Sequence, residues 1–578
     1  MADYDTVGTD ILIIGSGAAG LRAAIAAHDA GAKNIIVLGK CRRGDAHTVL
    51  ATGGINAALG TMDPRDSWKV HAADTLKEGW FIADYRAVET LCRNAPDAVN
   101  ELVRWGARFH KEKDGRLTQR FFGAHTYRRT CFYGDQTGKE IMRVLVKEVG
   151  KRKIRFLEDM FVFSLIKSGS EIRGAATIDF KSGRAVVFEA KAVVLATGGY
   201  SKLYSRSSSR GYENHGDGAA LAFDAGVSLV DLEMVQFHPT GMVYPKRALG
   251  VLVTEAVRGE GGILLNSRGE RFMKKYDSAR MELGPRDEVA RSIYSEIKAG
   301  NGTKHGGVYL DITSLTKAKI LDRLPKMYHQ FKTLAHIDIT KERMEVAPTA
   351  HYTMGGIDVS LNGETEINGL YAVGEAVGQI HGANRLGGNS LLETIVYGKI
   401  VGESAVDTAR NTQGAGLSRS DVEPALDYLN SLTGKGASPE GMRARLQEIM
   451  WKRVGLVRNE KELRAALVEI RKLKKEFFRV RVAGGLKGNG RMRVALETAK
   501  MIELCEAVVM SAMMRRESRG AHFRSDYPEV RDSWRVNILA RKGKSSISLT
   551  KKGVPTVSGE LRQSIKAAKE RAAHKLLE

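Results

Sequence analysis

Residues 10–31, DILIIGSGAAGLRAAIAAHDAG, place an apolar run, a glycine-rich turn and an alanine-rich segment in immediate succession. The apolar run predicts a buried parallel strand, and the alanine-rich segment predicts a helix that ends at Gly31. In such a turn Gly15 allows the tight bend, Gly17 lets the backbone approach a pyrophosphate, and Gly20 lets the helix pack on the strand. The free N–H groups of the helix N-terminus would then face the phosphates.

A second apolar strand is predicted over residues 34–38, directly after this helix. Strand, turn, helix and strand in this order predict a dinucleotide site, whereas an isolated glycine motif would also fit a tight turn without a ligand. The second strand ends in Leu38-Gly39-Lys40 rather than in an acidic residue. The sequence therefore gives no support to ribose recognition by a carboxylate at that position.

Composition predicts a globular chain of several packed units, with 578 residues, 43% of them hydrophobic and 27% charged. The N-terminal residues MADYD are acidic and lack the basic start of a signal peptide. No apolar run approaches the ~20 residues that a membrane-spanning helix needs. We therefore expect a cytoplasmic protein.

The four cysteines, Cys41, Cys92, Cys131 and Cys505, are far apart in the sequence and form no C-x-x-C pair. This spacing excludes a four-cysteine iron–sulfur site of the usual kind, and we expect no metal site in this chain. Electrons that leave the chain singly would need clusters on another subunit.

The formal net charge of +23 favours anionic partners, such as nucleic acid, an anionic membrane surface or acidic proteins. The sequence shows no nucleic-acid motif that interleaves aromatic and basic residues. Part of the excess lies between Arg541 and Lys575, near the C-terminus. We interpret this segment as a solvated basic face or docking tail, and we expect no nucleic acid as a partner.

Two further glycine-rich stretches indicate backbone that lies close to a flat ligand. ATGGINAALG (residues 51–60) contains the pair Gly53 and Gly54, and AVVLATGG (residues 192–199) joins a buried strand to a turn. Two nucleotide-contacting turns ~180 residues apart are typical of a flavoprotein rather than of an NAD enzyme. Before the second turn, alternating segments predict an antiparallel hairpin layer: residues 161–167, 172–180 and 185–188.

A series of longer motifs follows in a fixed order. They are QFHPTG (236–241), TEAVRGEGG (254–262), GPRD (284–287), PTAHYTMGG (348–356), HGANRLGGNSL (381–391) and RRESRGAHFRSDYP (515–528). With these motifs the chain resembles the flavoprotein subunits of the succinate dehydrogenase/fumarate reductase family, roughly from residue 8 to residue 535.

This resemblance implies an α/β fold with a Rossmann-like FAD-binding domain in two segments, an inserted capping domain and a C-terminal helical domain. The implied boundaries are residues 1–244 and 346–415 for the two FAD-binding segments, 245–345 for the capping domain, 416–534 for the helical domain and 535–578 for a basic C-terminal tail. The tail itself does not match the family pattern.

The resemblance places four residues around a four-carbon dicarboxylate, succinate or fumarate: His238, Thr254, His351 and Arg385. A guanidinium can bind both oxygens of a carboxylate at once, which suits Arg385 to this task. The threonine supplies a hydroxyl donor, and the histidines supply donors whose charge can be tuned.

By the same resemblance, Arg286 is the proton donor to the substrate carbon, and Arg258 and Glu255 form the relay behind it. Because the pKa of arginine exceeds ~12, it can act as an acid only transiently, with its proton replaced through Glu255. The alternative is that Arg286 is a fixed electrostatic clamp and that water protonates the substrate.

The resemblance also assigns the residues that contact FAD. They are Gly15, Gly17, Gly20, Lys40, His47, Thr48, Gly53, Gly54, Asp217, Glu375, Ser390 and Leu391. Lys40 departs slightly from the family, in which a serine precedes this lysine, because Gly39 stands there instead.

His47 occupies the position at which family members that tether their flavin place the linking histidine, so the resemblance implies covalent FAD. The family usually has Arg-Ser before His-Thr, whereas this chain has Asp45-Ala46. A histidine at this position could also hydrogen-bond a non-covalent flavin.

Two other interpretations remain open from the sequence. L-aspartate oxidase resembles the same family and uses the same arginines, although it usually lacks a histidine at the position of His47. An RNA-binding protein or redox scaffold would fit the positive charge but would not require the substrate residues. In the favoured interpretation an iron–sulfur subunit receives the electrons, and contact with the inner face of the membrane occurs only through partner subunits.

Overall fold

The structure, a computed structural model, describes residues 4–414, 416–544, 546–557 and 559–574. Within these ranges the strands are β1 (Tyr4–Ile14), β2 (Ile35–Leu38), β3 (Ile55–Asn56), β4 (Gln119–Arg120), β5 (Thr130–Cys131), β6 (Arg155–Leu157), β7 (Met160–Ser168), β8 (Glu171–Asp179), β9 (Arg184–Leu195), β10 (Leu229–Val230), β11 (Val235–Met242), β12 (Ile263–Leu265), β13 (Val308–Asp311), β14 (Met344–Thr353), β15 (Gly356–Ile357), β16 (Leu370–Ala372), β17 (Val536–Lys542) and β18 (Ile547–Gly553).

The α-helices in the same part of the chain alternate with these strands and then dominate the C-terminal third. They are α1 (Ala18–Asp29), α2 (Trp68–Glu78), α3 (Tyr85–Arg93), α4 (Ala95–Arg104), α5 (Thr137–Lys151), α6 (Asp217–Asp224), α7 (Ala256–Gly259), α8 (Met273–Tyr276), α9 (Arg286–Glu296), α10 (Lys317–Arg323), α11 (Pro325–Leu334), α12 (Asn389–Asn411), α13 (Arg419–Ser431), α14 (Pro439–Arg453), α15 (Glu460–Phe477), α16 (Gly490–Met514) and α17 (Gly559–His574).

The central sheet has seven strands in the order β6-β2-β1-β9-β8-β7, with β16 also paired to β9. Strands β6, β2, β1, β9 and β16 run parallel, so their carboxyl ends lie along one edge. The buried strand, turn, helix and second strand predicted from residues 10–38 are all present, which confirms the predicted α/β fold class.

The hairpin layer differs from its prediction in one respect. The segment 185–188 and the buried run 192–195 are a single strand, β9, and β7 and β8 extend the same central sheet. The N-terminal half of β9 pairs with β8 and its C-terminal half pairs with β16, while β1 lies along its other side. Apolar residues run through both halves, and local alternation alone cannot show that the strand continues.

The two glycine turns meet because β1 and β9 are paired up to Ile14 and Leu195. A Cβ atom added to Gly15 would lie 2.1 Å from the carbonyl oxygen of Ala196, and Gly15 has a φ of +121°. A Cβ on Gly20 would lie 2.0 Å from the carbonyl oxygen of Gly15. Only glycine permits this approach of helix, turn and neighbouring strand.

The capping domain is built on a second, four-stranded sheet in the order β11-β14-β13-β12. A hydrophobic core of its own, separate from the main core, draws residues from between Met242 and Val346. Strands β11 and β14 connect this domain to the FAD-binding domain, and they carry His238 and His351 at the junction.

The helical domain consists of α13 to α16. Helices α14, α15 and α16 pack against one another, whereas α13 packs on strands β7 and β8 of the central sheet. A buried arginine ties its end to the rest of the molecule. Arg515 donates to Glu233 Oε1 at 2.6 Å and to Asp231 Oδ1 at 3.1 Å, and it also donates to the carbonyl oxygens of Trp534 and Val536. The chain after Trp534 therefore begins in fixed contact with the body of the protein.

The predicted basic tail is wrong for residues 536–544 and 546–553, which form the two arms of a hairpin. Strand β17 pairs antiparallel with β10 and with β18, and Ile538 and Ala540 are buried beneath it. Lysines and arginines occupy the solvent side of this hairpin, so its short pattern of apolar residues is difficult to recognise in the sequence. Helix α17 then packs on α2 through the buried Leu561. Lys575, the last basic residue of the predicted tail, lies outside the described residues.

No helix among the described residues is both long enough and apolar enough to cross a membrane.

The buried β17 predicts that Ile538→Ala lowers the free energy of unfolding by about 2–5 kcal/mol, because it leaves a cavity under the sheet. Denaturant titration measures this loss. Val530→Ala is the matched control, since Val530 is 45% exposed and its truncation should change stability little. Equal effects of the two substitutions would contradict a packed hairpin at the C-terminus.

Candidate active site

One large cavity opens at the carboxyl edge of the central sheet. It is bordered by Ile14, Leu38, Ala196 and Val373, which stand at or just after the ends of β1, β2, β9 and β16. Ligands of open parallel sheets bind in this crevice, because loops and helix N-termini converge there. The cavity therefore lies where the glycine motif of residues 10–31 predicted it.

The cavity brings together nearly all of the predicted site residues. Those that line it are Gly15, Gly17, Lys40, His47, Thr48, Gly53, Gly54, Asp217, His238, Thr254, Glu255, Arg286, His351, Glu375, Arg385, Ser390 and Leu391. Gly20 and Arg258 are set back from its surface. Gly20 packs α1 against the sheet, and Arg258 is buried behind Glu255.

Two helices point their N-termini at the cavity without a side-chain cap. Helix α1 begins after Gly17, and α12 begins after Gly388; neither of these N-cap residues has a side chain with which to cap. Thr48 Oγ1 accepts from the N–H of Ala18 at 3.2 Å. Unpaired N–H groups and the helix dipole favour a pyrophosphate at one helix and a partly negative carbonyl oxygen at the other.

At the end of the cavity beside β2, Lys40 Nζ donates to Asp217 Oδ2 at 2.7 Å and to Glu497 Oε1 at 3.1 Å. Burial alone would lower the pKa of Lys40, but these two carboxylates outweigh it and raise the pKa above its ordinary value. Asp217 Oδ1 is buried and accepts no hydrogen bond within the described part of the chain. It fits a hydroxyl group of a bound nucleotide, and Lys40 holds it in place.

Glu375 lies midway along the cavity, after β16. Its Oε1 accepts from the N–H of Thr353 at 3.1 Å. Burial raises the pKa of Glu375 to about 7, although the neighbouring His47 opposes this shift. Together with the two helix N-termini and the unpaired Asp217 oxygen, this polar acceptor fits the hydroxyl and phosphate groups of FAD.

His47 stands in the wall of the cavity with its Nδ1 atom 2.9 Å from Glu213 Oε1. Burial disfavours the charged imidazole, but the hydrogen bond with Glu213 and the charges of Glu213 and Glu375 together outweigh burial and raise the pKa of His47. Glu213 is itself bound by Arg210, which donates from its backbone N–H at 2.9 Å and from Nε at 3.1 Å. The ring of His47 is therefore held at its Nδ1 side.

At the opposite end, two guanidinium groups converge on one oxygen atom. Arg286 and Arg385 each donate to Gln236 Oε1 at 3.1 Å, and Arg385 also donates to Ser390 Oγ at 3.1 Å. The amide group of Gln236 is fixed by Asn384 Oδ1 at 2.7 Å. Burial and the charge of Arg286 lower the pKa of Arg385 to about 10, so it stays a cation at neutral pH.

Glu255 connects Arg286 with the buried Arg258. Its Oε2 accepts from Arg286 Nε at 2.8 Å and lies 3.9 Å from the nearest guanidinium nitrogen of Arg258. Burial would raise the pKa of Glu255, but the charges of the two arginines outweigh it and lower the pKa to about 2. An ionised carboxylate thus links two arginines, one at the cavity and one behind it.

The two predicted histidines face each other, with ring centroids 5.3 Å apart. Burial, and then the charges of Arg286 and Arg258, hold the pKa of His238 well below its ordinary value. Burial and the neighbouring His238 do the same for His351. Both rings are therefore neutral at pH 7 and act as hydrogen-bond donors rather than as cations.

Sequence reasoning missed several residues of the site. Gln236 could have been found, since it precedes His238 by two positions and so lies on the same side of strand β11. Ser208, whose Oγ is 2.9 Å from His351 Nδ1, lies in a serine-rich stretch without a recognisable pattern. Arg210 and Glu213 gave no signal either, because Asp45 and His47, which they contact, are more than 160 positions away in the sequence.

Comparison with known proteins agrees with this geometry. Residues 10–391 match the FAD binding domain family, and residues 443–566 match the fumarate reductase flavoprotein C-terminal family. The second match extends beyond residue 535, where the resemblance was expected to end, and it includes the β17–β18 hairpin.

Similar full-length proteins include a subunit of the fumarate reductase (CoM/CoB) of Methanothermobacter marburgensis, which is 44% identical over 92% of this chain and 97% of its own length. The succinate dehydrogenase flavoprotein subunit of Rickettsia bellii is 36% identical over 92% of each chain. Among solved structures, Mycobacterium smegmatis Sdh1 in complex with UQ1 superimposes with a TM-score of 0.89 at 41% identity, over 98% of both chains. The chain thus belongs to the succinate dehydrogenase/fumarate reductase flavoprotein family and is an FAD-dependent oxidoreductase.

Proposed function

We propose that the protein interconverts succinate and fumarate and passes the electrons to an iron–sulfur partner. The observation that carries this proposal is the convergence of Arg286 and Arg385 on the single oxygen of Gln236, inside a buried cavity. Two guanidinium groups at one point match a carboxylate oxygen better than any neutral group. The names of the relatives, fumarate reductase and succinate dehydrogenase, support the same substrates.

The residues around this point can hold both ends of a dicarboxylate. Arg385 and the neutral rings of His238 and His351 offer donors, and Thr254 also lines the cavity. Neutral histidines suit this site, because two further cations beside Arg286 and Arg385 would repel one another. Buried donors that need no rearrangement hold the dianion in one orientation and exclude water from it.

Arg286 is the proposed proton donor to the substrate carbon, and Glu255 restores its proton. FAD, when bound in the cavity, supplies or accepts the hydride. The 2.8 Å contact between Arg286 Nε and Glu255 Oε2 gives the proton a direct path, and Arg258 behind Glu255 can refill it. Arginine can act as this acid only while negative charge develops on the substrate carbon.

We further propose that FAD is attached covalently to His47. The ring lines the cavity and is held at Nδ1 by Glu213, which leaves Nε2 on the other side of the ring. Attachment of a ring nitrogen to the 8α carbon withdraws electron density from the isoalloxazine and raises its reduction potential. Succinate is a weak reductant, so a higher potential favours its oxidation.

An iron–sulfur subunit is the proposed electron partner, since the four cysteines cannot hold a cluster together. Cys92, Cys131 and Cys505 are buried at separate places, and Cys41 is half-buried beside Lys40. The names of the relatives describe subunits of larger enzymes. We propose that the protein lies in the cytoplasm and reaches the inner face of the membrane only through such partners.

Purification of the native protein with its bound subunits tests the proposed reaction. We expect succinate to reduce an artificial electron acceptor and fumarate to oxidise reduced viologen, with an iron–sulfur protein in the same fraction. Activity with aspartate and dioxygen, but not with succinate or fumarate, would show an L-aspartate oxidase instead. An active protein without any bound subunit would contradict the proposed partner.

Arg286→Gln should abolish turnover while FAD remains bound, because it removes a group that acts in the transition state. Steady-state rates and the absorbance of bound flavin measure the two effects separately. Arg286→Lys is the companion variant, since it keeps the charge but loses the Nε contact with Glu255. If the Gln variant kept more than about a tenth of the rate, a loss of less than ~1.4 kcal/mol, the proposed acid would be wrong.

Denaturation tests covalent attachment at His47. Acid precipitation should leave the yellow colour in the pellet, and flavin fluorescence should remain on the denatured band in a gel. We expect His47→Ser to bind FAD and reduce fumarate but to oxidise succinate poorly, because its flavin potential is lower. A colourless pellet from the wild-type protein would overturn the proposal.

A further inference from the structure

We propose that Glu213 is the positioning residue for flavin attachment, because it holds His47 at Nδ1 and so makes Nε2 the atom that bonds the 8α carbon. This inference rests on the proposed covalent attachment. Glu213 Oε1 lies 2.9 Å from Nδ1, and both side chains line the cavity. Glu213 is ionised, since its hydrogen bonds and the charges of His47 and Arg210 overcome burial and lower its pKa.

An ionised carboxylate can only accept a hydrogen bond, so its contact selects the imidazole form that carries a proton on Nδ1. In that form Nε2 keeps its lone pair and is the nucleophilic atom of the ring. Without Glu213, the proton could occupy either nitrogen and the ring could turn. The same physical logic lets a buried carboxylate set the tautomer of a catalytic histidine in hydrolases.

Arg210 fixes the carboxylate that fixes the histidine. It donates to both oxygens of Glu213, to Oε1 from its backbone N–H at 2.9 Å and to Oε2 from a terminal guanidinium nitrogen at 2.7 Å. The other terminal nitrogen of Arg210 donates to Asp45 Oδ1, and Tyr212 donates its hydroxyl to Asp45 Oδ2 at 3.3 Å. A connected series of polar contacts thus runs from Asp45 through Arg210 and Glu213 to His47.

This series of polar contacts accounts for Asp45, which stands where the family usually has an arginine. The position does not lack a guanidinium, because Arg210 brings one from a loop 165 residues away. Asp45 anchors that arginine, and the arginine orients Glu213. The surroundings of His47 therefore still contain a guanidinium group, which lies between two carboxylates and is linked to the histidine through Glu213.

Attachment of FAD to His47 is a two-electron oxidation of the two groups that become joined. The bond that forms joins His47 Nε2 to the 8α carbon. The bonds that break are one C–H bond of the 8α methyl group and, once the alkylated ring gives up its proton, the Nδ1–H bond of the imidazole. The two electrons and two protons released pass to the isoalloxazine and then to fumarate, which leaves as succinate. Glu213 is chemically unchanged; it holds the ring and stabilises the positive charge that develops on it.

Glu213→Gln and Glu213→Leu test this inference in the full-length protein refolded or expressed with FAD. The amide of Gln can present its NH₂ group to Nδ1, which stabilises the form with a proton on Nε2, and Leu removes the contact. We expect attachment to be at least ~10-fold slower in both variants. In-gel fluorescence after timed acid quenching measures the rate, and flavin absorbance before the quench measures total bound FAD.

Glu158→Gln is the matched control. Glu158 accepts from the backbone N–H of Arg43, in the loop that precedes His47, but it lies outside the cavity. It should attach FAD at the wild-type rate. Arg210→Met is a second test of this series of contacts. It should slow the attachment of FAD while leaving both His47 and Glu213 in the protein.

The pH dependence of attachment separates positioning from a merely structural effect. The charged groups that face His47 are Glu213, Glu375 and Arg210, and the ring of His351 lies beyond them. Because Glu213 raises the pKa of His47, attachment in the wild-type protein should rise with pH as the ring loses its second proton. The Gln variant should show this rise at lower pH, with a lower plateau.

The outcomes distinguish this inference from the proposals beneath it. A wild-type protein without covalent flavin overturns both the attachment and the function of Glu213. A covalent wild-type protein whose Glu213→Gln variant attaches FAD at the same rate overturns the function of Glu213 alone. Slow attachment in variants that bind as much FAD as the wild type, with Glu158→Gln unaffected, supports it. Succinate and fumarate turnover of the wild type tests the proposed reaction independently.

Discussion

The contact between Gly15 and Ala196 determines where everything else in the site can be. Because β1 and β9 are paired up to Ile14 and Leu195, their turns leave the sheet side by side. The backbone of Ala196 lies so close to Gly15 that no side chain fits between them. Helix α1 is thereby aimed into the crevice, and β16 adds a further strand end on the far side of β9. A side chain at Gly15 would separate the two strand ends and remove the cradle.

The other end of the cavity depends on an imbalance of charge. Three guanidinium groups, those of Arg258, Arg286 and Arg385, lie close to the ionised carboxylate of Glu255. Buried cations without partners are costly, and the lowered pKa of Arg385 reflects this cost. The amide oxygen of Gln236 compensates only weakly, since it carries a partial charge. The proposed dicarboxylate substrate would restore the balance, because it brings the negative charge that this end of the cavity lacks.

Local motifs predicted most of the residues that line the cavity, because each motif holds its residues on one turn or one strand. The sequence did not predict what those residues contact. The expected contact of Lys40 with the flavin stays a prediction, but its hydrogen bond to Asp217, which is 177 positions away, was not predicted. The hairpin after Trp534 was missed for a related reason: its pairing partner, β10, is about 300 residues earlier, and its outward lysines hide the buried Ile538. Long-range pairing and buried polar contacts leave little trace in a single sequence.

Asp45 shows how such long-range contacts change the meaning of a local departure. Next to His47 in the sequence, an acidic residue in place of an arginine suggests a weakened flavin-linking motif. In the folded protein the same carboxylate binds Arg210, and Arg210 binds Glu213 beside the imidazole. A carboxylate in this place is therefore what keeps a guanidinium and a second carboxylate within reach of the histidine. The motif at His47 is consequently defined by four side chains that meet in space, and its integrity cannot be judged from the two residues that precede the histidine.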